Sequence, residues 1–83
     1  MSNTLFIGNL PFTVKEETLR ELFESAGPVL SARIVLDRET RRPRGFGFVE
    51  FESVDDAESA VQRFSGYRLE GRELVVNVAR PRP

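Results

Sequence analysis

The sequence predicts an α+β domain of order strand, helix, strand, strand, helix, strand, and three observations predict it. Residues Thr4 to Gly8 and Arg44 to Glu52 alternate with the two-residue period of half-buried strands. Leu19, Leu22, Phe23 and Ala26, and later Ala57, Ala60, Val61 and Phe64, recur at helical spacing. Turn residues separate these segments, notably Gly27-Pro28, the polar stretch Asp37 to Pro43, and Gly66. This βαββαβ sandwich implies a four-stranded antiparallel sheet with both helices on one face, leaving the other face to solvent.

Taken in order, the first strand puts Leu5 and Ile7 on one side and Phe6 on the other. The first helix is expected over Glu16 to Ala26. Lys15 stands where a Ser, Thr or Asp cap is favoured, and Glu16 and Glu17 partly compensate its unfavourable charge. Val29 to Leu36 is rich in β-branched residues and reads as the second strand. In the third strand Gly45, Gly47, Val49 and Phe51 share one face, while Phe46, Phe48 and Glu50 share the other. Ser53 and Asp56 form a capping-box-like start to the second helix, and Leu74 to Val78 makes the last strand. By parity Phe23, Phe51 and Phe64 belong to the core, whereas Phe12, before the first helix, is ambiguous. Gly45 and Gly47 are expected to let the helices approach the sheet closely. Arg80-Pro81-Arg82-Pro83 reads as the start of a linker, so residues 1–83 are taken as one domain with 79–83 beginning that linker.

Composition narrows the function. The chain has 83 residues, of which 40% are hydrophobic and 30% charged, so it is globular in type and sized for one domain. It has no cysteine and no histidine, which removes thiolate chemistry and the commonest general base and metal ligand. No cofactor or metal is expected, and no membrane span, since no long apolar run occurs. The start, Met1-Ser2-Asn3-Thr4, runs into the first strand without a charged, hydrophobic or Arg/Ser-rich stretch, so any targeting segment is expected to lie outside these residues. An intracellular protein is expected, with nucleus, cytoplasm and plastid left open. Asp55 and Asp56 are more simply helix-start residues than an acid–base pair, and Gly45-Phe46-Gly47 lacks the third glycine of a dinucleotide loop. An enzyme is therefore not expected.

The net charge is −1, but it is segregated. Five arginines against Asp37 and Glu39 lie between Arg33 and Arg44, and Arg80 and Arg82 follow the last strand. Acidic residues dominate both predicted helices. If the basic stretches share a face, one side of the molecule suits phosphate; ordinary solvated surface charge is the alternative.

The octapeptide Arg44-Gly45-Phe46-Gly47-Phe48-Val49-Glu50-Phe51 and the hexapeptide Leu5-Phe6-Ile7-Gly8-Asn9-Leu10 resemble the two signature motifs of the RNA recognition motif family, whose fold is ferredoxin-like. The resemblance extends over essentially the whole chain, through Asp37, Thr40, the Leu69 to Leu74 region and Ala79-Arg80-Pro81. The stretches Phe23-Glu24 with Ala26-Gly27-Pro28-Val29, and Tyr67 to Arg72, look most like the plastid ribonucleoprotein branch. The resemblance implies that Phe6 and Phe48 stack two successive bases of single-stranded RNA, that Phe46 lies against a base or between sugars, and that Arg44 meets a phosphate. The alternative for these rings is burial in the core or under a partner, but Leu5, Ile7, Val49 and Phe51 already fill the core face.

Arg33 and Val35 on the second strand, and Asn77, Ala79 and Arg80 at the fourth, are expected to support RNA from the sheet edges. Asn77 carries both donor and acceptor, as reading a base edge requires, or else is a solvated amide. Arg38, Arg41 and Arg42 are expected to reach phosphates from a mobile loop, with plain solvation as the alternative. Family members often have Gly where Arg41 stands, which puts the loop geometry in question. Glu50 faces the same side and would repel phosphate unless it accepts a hydrogen bond or pairs with an arginine. The expected module is a monomer gripping about two to four nucleotides and serving RNA processing, stability or translation. The rival is a protein-binding variant of the same fold that takes a peptide through its helical face. Its Arg-x-Phe element is replaced here by Arg72-Glu73-Leu74, although the acidic helices leave room for a protein partner.

Overall fold

In the computed structural model, residues 3–79 are described. The chain runs β1 (Thr4–Gly8), α1 (Glu16–Glu24), β2 (Val29–Leu36), β3 (Pro43–Phe51), α2 (Val54–Phe64), β4 (Arg68–Leu69), β5 (Arg72–Glu73) and β6 (Val75–Val78). Strands β2, β3, β1 and β6 form, in that order, the expected antiparallel sheet. The two short strands β4 and β5 pair only with each other.

Register carries the two-residue alternation across the sheet. Leu5 lies opposite Val49 and Val78, and Ile7 opposite Gly47 and Val76. These residues face the helices and, apart from the partly buried Val78, are buried together with Phe51. From α1 come Leu19 and Phe23, and from α2 Ala57, Ala60 and Phe64, all in the same core, so both helices cover one face. Phe23 is the hub. Its ring centroid lies 4.7 Å from Phe64 and 6.4 Å from Phe51 in an edge-on arrangement, a geometry aromatic quadrupoles favour. Burying a phenylalanine of this kind contributes about 1.5–3 kcal/mol.

Helix ends follow the capping chemistry. Ser53 Oγ accepts the Asp56 amide at 3.1 Å, while Lys15 occupies the first cap with no side-chain hydrogen bond. Helix α1 stops at Glu24, two residues before the expected Ala26, because the chain tightens: Ala26 N donates to Phe23 O and Gly27 N to Glu24 O, each three residues back. Strand β3 likewise starts one residue early, at Pro43, and ends at Phe51.

Both glycine expectations in β3 need correction. A side chain at Gly47 would strike main chain of β2, closer than 3.0 Å to Arg33 O and 3.2 Å from Ile34 Cα. Gly45, at φ +90°, neighbours Phe12 and the Leu10 carbonyl. Neither makes room for a helix. Gly47 lets two strands run close beside an irregularity at which Arg44, Gly45 and Phe46 of β3 stand against Val35 alone of β2, and Gly45 takes a backbone conformation that L side chains resist.

Helix α1 also reaches the outer edge of β2. Ile34 N donates to Glu16 Oε2 at 2.9 Å, and Arg20 Nη2 donates to Val29 O at 3.1 Å. Arg20 additionally pairs with Glu24 at 3.1 Å.

Candidate nucleic-acid interface

The face opposite the helices carries Thr4 and Phe6 of β1, Phe46, Phe48 and Glu50 of β3, Ser31, Arg33 and Val35 of β2, and Val75 and Asn77 of β6. Register sets them in rows. Arg33, Phe48, Phe6 and Asn77 are direct neighbours across all four strands. The next row holds Ser31, Glu50 and Thr4. Phe6, Phe46 and Phe48 are each only partly buried. Their rings cluster at centroid separations of 5.6 Å (Phe6 to Phe46), 5.9 Å (Phe6 to Phe48) and 6.3 Å (Phe46 to Phe48). The last two pairs are edge-on, and none of the three rings is fully buried. Gly8 makes room for Phe6, whose ring lies over it: a Cβ there would sit 3.0 Å from Phe6 Cε1.

The Arg44 guanidinium carbon lies 5.8 Å from the Phe46 centroid, so this exposed cation borders the aromatic cluster. Arg33 flanks Phe48 on the β2 side and Asn77 flanks Phe6 on the β6 side, both exposed. Thr4, Ser31, Arg33, Phe48 and Glu50 line a shallow hollow. Glu50 accepts a hydrogen bond from Ser31 Oγ at 3.5 Å, which gives its carboxylate a neighbour other than the arginine considered from sequence. The basic strand residues Arg33 and Arg44 are thus on the face away from the acidic helices.

The loop from Asp37 to Arg42 is built around one carboxylate. Asp37 Oδ1 accepts the amides of Glu39 at 2.9 Å and Thr40 at 3.1 Å, and Thr40 Oγ1 accepts the Arg42 amide at 3.3 Å. Asp37 N donates to Arg42 O at 2.8 Å, closing the loop. Hydrogen bonds from the Thr40 and Glu39 amides, aided by the nearby charge of Arg44, hold the Asp37 carboxyl below its ordinary 3.8 against the opposing effect of desolvation. The loop is therefore a hydrogen-bonded turn. Arg41 takes the left-handed conformation itself, at φ 61°, in the place where the resembling family often has Gly. Arg38, Arg41 and Arg42 are all exposed. Arg80, expected beside Asn77, lies outside the described residues.

Three features of this face went unread in the sequence. Val75 is 46% exposed and lies opposite Gly8; its parity with Asn77 was the available signal. Ser31 shares parity with Arg33 in the same way. At the end of the sheet, Phe12 is 61% exposed with the Arg72 guanidinium carbon 5.5 Å from its centroid, a pairing of residues far apart in sequence.

Among the described residues, no group of three or more acidic, histidine or cysteine side chains is arranged to hold a metal ion, and no helix is long and apolar enough to cross a membrane.

Residues 5–75 match the family model of the RNA recognition motif. The chain belongs to the RNA recognition motif family. Within it, the chain is 52% identical over 79 residues to the chloroplastic RNA-binding protein CP29B of Arabidopsis thaliana, covering 95% of this chain and 27% of that protein. Among solved structures, this RNA recognition motif superposes on the RNA-binding protein PG1 with a TM-score of 0.92 at 45% identity, covering 99% of both chains. It matches the RNA recognition motif of Rna15 with bound RNA (GU) with a TM-score of 0.85 at 30% identity, covering 95% of this chain and 84% of that one.

Proposed function

We propose that the domain binds a short stretch of single-stranded RNA by stacking successive bases on Phe6 and Phe48, with Phe46 against a further base or sugar, as a module in RNA processing, stability or translation. The observation that carries the reading is the row Arg33, Phe48, Phe6, Asn77, in which two partly buried aromatic rings lie at the centre of the sheet with polar side chains at both ends. Leaving three phenylalanines partly in water forgoes burial energy that a core would have gained. Base–aromatic stacking recovers it when nucleic acid arrives, at about 1–3 kcal/mol per base. Asn77 offers a donor and an acceptor to a base edge. Arg33 and Arg44 meet phosphates beside the rings, and Arg41 and Arg42 do so from the loop. Arg80 would extend this contact line. In this reading residues 1–83 work as one domain, with 79–83 opening a linker.

The test is a titration of the Phe46→Ala/Phe48→Ala double variant with a short uridine-rich RNA. Losing the Phe48 stack together with the Phe46 contact weakens binding by about five-fold or more, the lower bound of one stack, while circular dichroism shows the fold kept. Unchanged affinity would refute the stacking mechanism. Because Arg33, Arg44, Arg41, Arg42 and Arg80 are the arginines assigned to phosphates, the logarithmic salt slope is no steeper than about −3.5.

A further inference from the structure

Among the strand residues on the face turned away from the helices, Glu50 alone is acidic, and a carboxylate there repels a phosphate backbone. Neither base stacking nor phosphate contact accounts for it. Its surroundings are specific. Thr4 of β1 and Ser31 of β2 lie directly opposite it on either side, and Ser31 Oγ donates to Glu50 Oε1 at 3.5 Å. Thr4, Ser31, Arg33, Phe48 and Glu50 line one hollow, so a ring, a cation, two hydroxyls and a carboxylate meet in a single depression.

Phe48 and Glu50 stand two residues apart on one strand face, a separation of about 6.6 Å at the usual rise. The half-width of a base plus one hydrogen bond of about 2.9 Å spans such an interval. A base stacked on Phe48 can therefore turn an edge to the carboxylate. That carboxylate only accepts hydrogen bonds, and it accepts most strongly from two parallel N–H groups. Guanine carries two neighbouring donors on its Watson–Crick edge, N1–H and the N2 amine. Uracil sets its N3–H between two carbonyl oxygens. Cytosine and adenine place an unprotonated ring nitrogen beside the exocyclic amine. In all three a lone pair would confront the negative charge, so the same group that admits one base rejects the others.

We propose that Glu50 makes the Phe48 position selective for guanine, accepting N1–H and N2–H on its carboxylate oxygens, an inference that rests on the base-stacking reading above. A carboxylate has about four lone-pair sites, enough for Ser31 and both guanine donors. Arg33 lies in the same hollow, exposed and joined to no carboxylate among the described residues, and its charge offsets that of Glu50 toward the approaching strand.

The experiment follows fluorescence anisotropy as the domain binds a uridine tetramer and tetramers in which guanosine, inosine, adenosine or cytidine replaces one uridine, each position in turn. Guanosine at the favoured position tightens binding by about five-fold or more over uridine, the lower bound of one bidentate base contact. Inosine, which lacks the N2 amine, loses most of that gain, and adenosine and cytidine bring none. Glu50→Gln turns a donor toward guanine and removes the preference, as does Glu50→Ala. Glu50→Gln melts as the wild type does and binds the uridine tetramer no more weakly, because a negative charge has left the face. A guanosine preference that survives Glu50→Gln, inosine equal to guanosine, or a preference for adenosine or cytidine overturns the assignment. So does a wild-type domain indifferent to guanosine, and the stacking reading then stands if Phe48→Ala still weakens uridine tetramer binding. A wild-type domain that binds none of the tetramers overturns both readings together.

Discussion

Replacing Gly47 with alanine tests the idea that two strands are held unusually close so that Phe46 and Phe48 can be presented side by side. The added methyl would meet Arg33 O closer than 3.0 Å, and the Arg33 carbonyl carbon and Ile34 Cα at 3.2 Å. All three are main-chain atoms of a strand already hydrogen-bonded to β3, so no side chain can swing aside. Overpacking costs about 1–3 kcal/mol where side chains can adjust; here the upper end, about 3 kcal/mol, applies. A domain of this size has about 4–12 kcal/mol of total stability, and each kcal/mol moves the midpoint by about 4–8 °C. The melt should therefore fall by about 12–24 °C. Gly8→Ala is the control from the opposite face. Its methyl meets Phe6 Cε1 at 3.0 Å and Val75 Cβ at 3.3 Å, and a ring can turn. The strain is offset in part by the reduced freedom of the unfolded chain, about 0.4–1 kcal/mol, so the melt barely moves while RNA affinity drops as Phe6 tilts. Thermal melts followed by circular dichroism, with a parallel titration, read both. A Gly47→Ala melt within about 4 °C of wild type, the shift of one kcal/mol, would refute the close-approach argument.

The two helix caps should respond in opposite directions. Ser53→Ala removes the acceptor of the Asp56 amide and costs about 1 kcal/mol, whereas Lys15→Ser supplies a missing acceptor and gains about 0.5–1 kcal/mol; urea midpoints check both. For Asp37 the folded carboxyl is below its ordinary 3.8, so the turn is fully supported above that value and loses support as pH falls through the lower folded one. Amide chemical shifts of Glu39 and Thr40 should titrate together in that acidic window, and in Asp37→Ala both should lie at unbonded positions at every pH.

What the sequence made legible were features repeated along the chain. Alternation in β1 and β3 assigned Leu5, Ile7, Val49 and Phe51 to one face and Phe6, Phe46 and Phe48 to the other, because parity is a local property. Helical spacing found Leu19, Phe23, Ala57, Ala60 and Phe64 for the same reason. The unread parts depend on registration between distant segments. The β4–β5 hairpin has two residues per strand, too few for any period to show. What Gly47 faces depends on where β3 carries extra residues against β2, and the Phe12 to Arg72 pairing joins two loops with no shared pattern. The Asp37 turn keeps its form with arginine at the left-handed position because three side-chain-capped amides outweigh the modest cost of that conformation.

Strand β2 ends the sheet, and a terminal strand ordinarily exposes a row of unsatisfied amides and carbonyls that invites a stranger to join. Here one turn of α1 spends a carboxylate on Ile34 and a guanidinium on Val29, like two bolts across a door. A foreign strand must draw both bolts, returning two charged groups to water before gaining its first ladder bond. Copies of the domain at high concentration can thus press flank to flank on this side without knitting their sheets into a continuous ribbon.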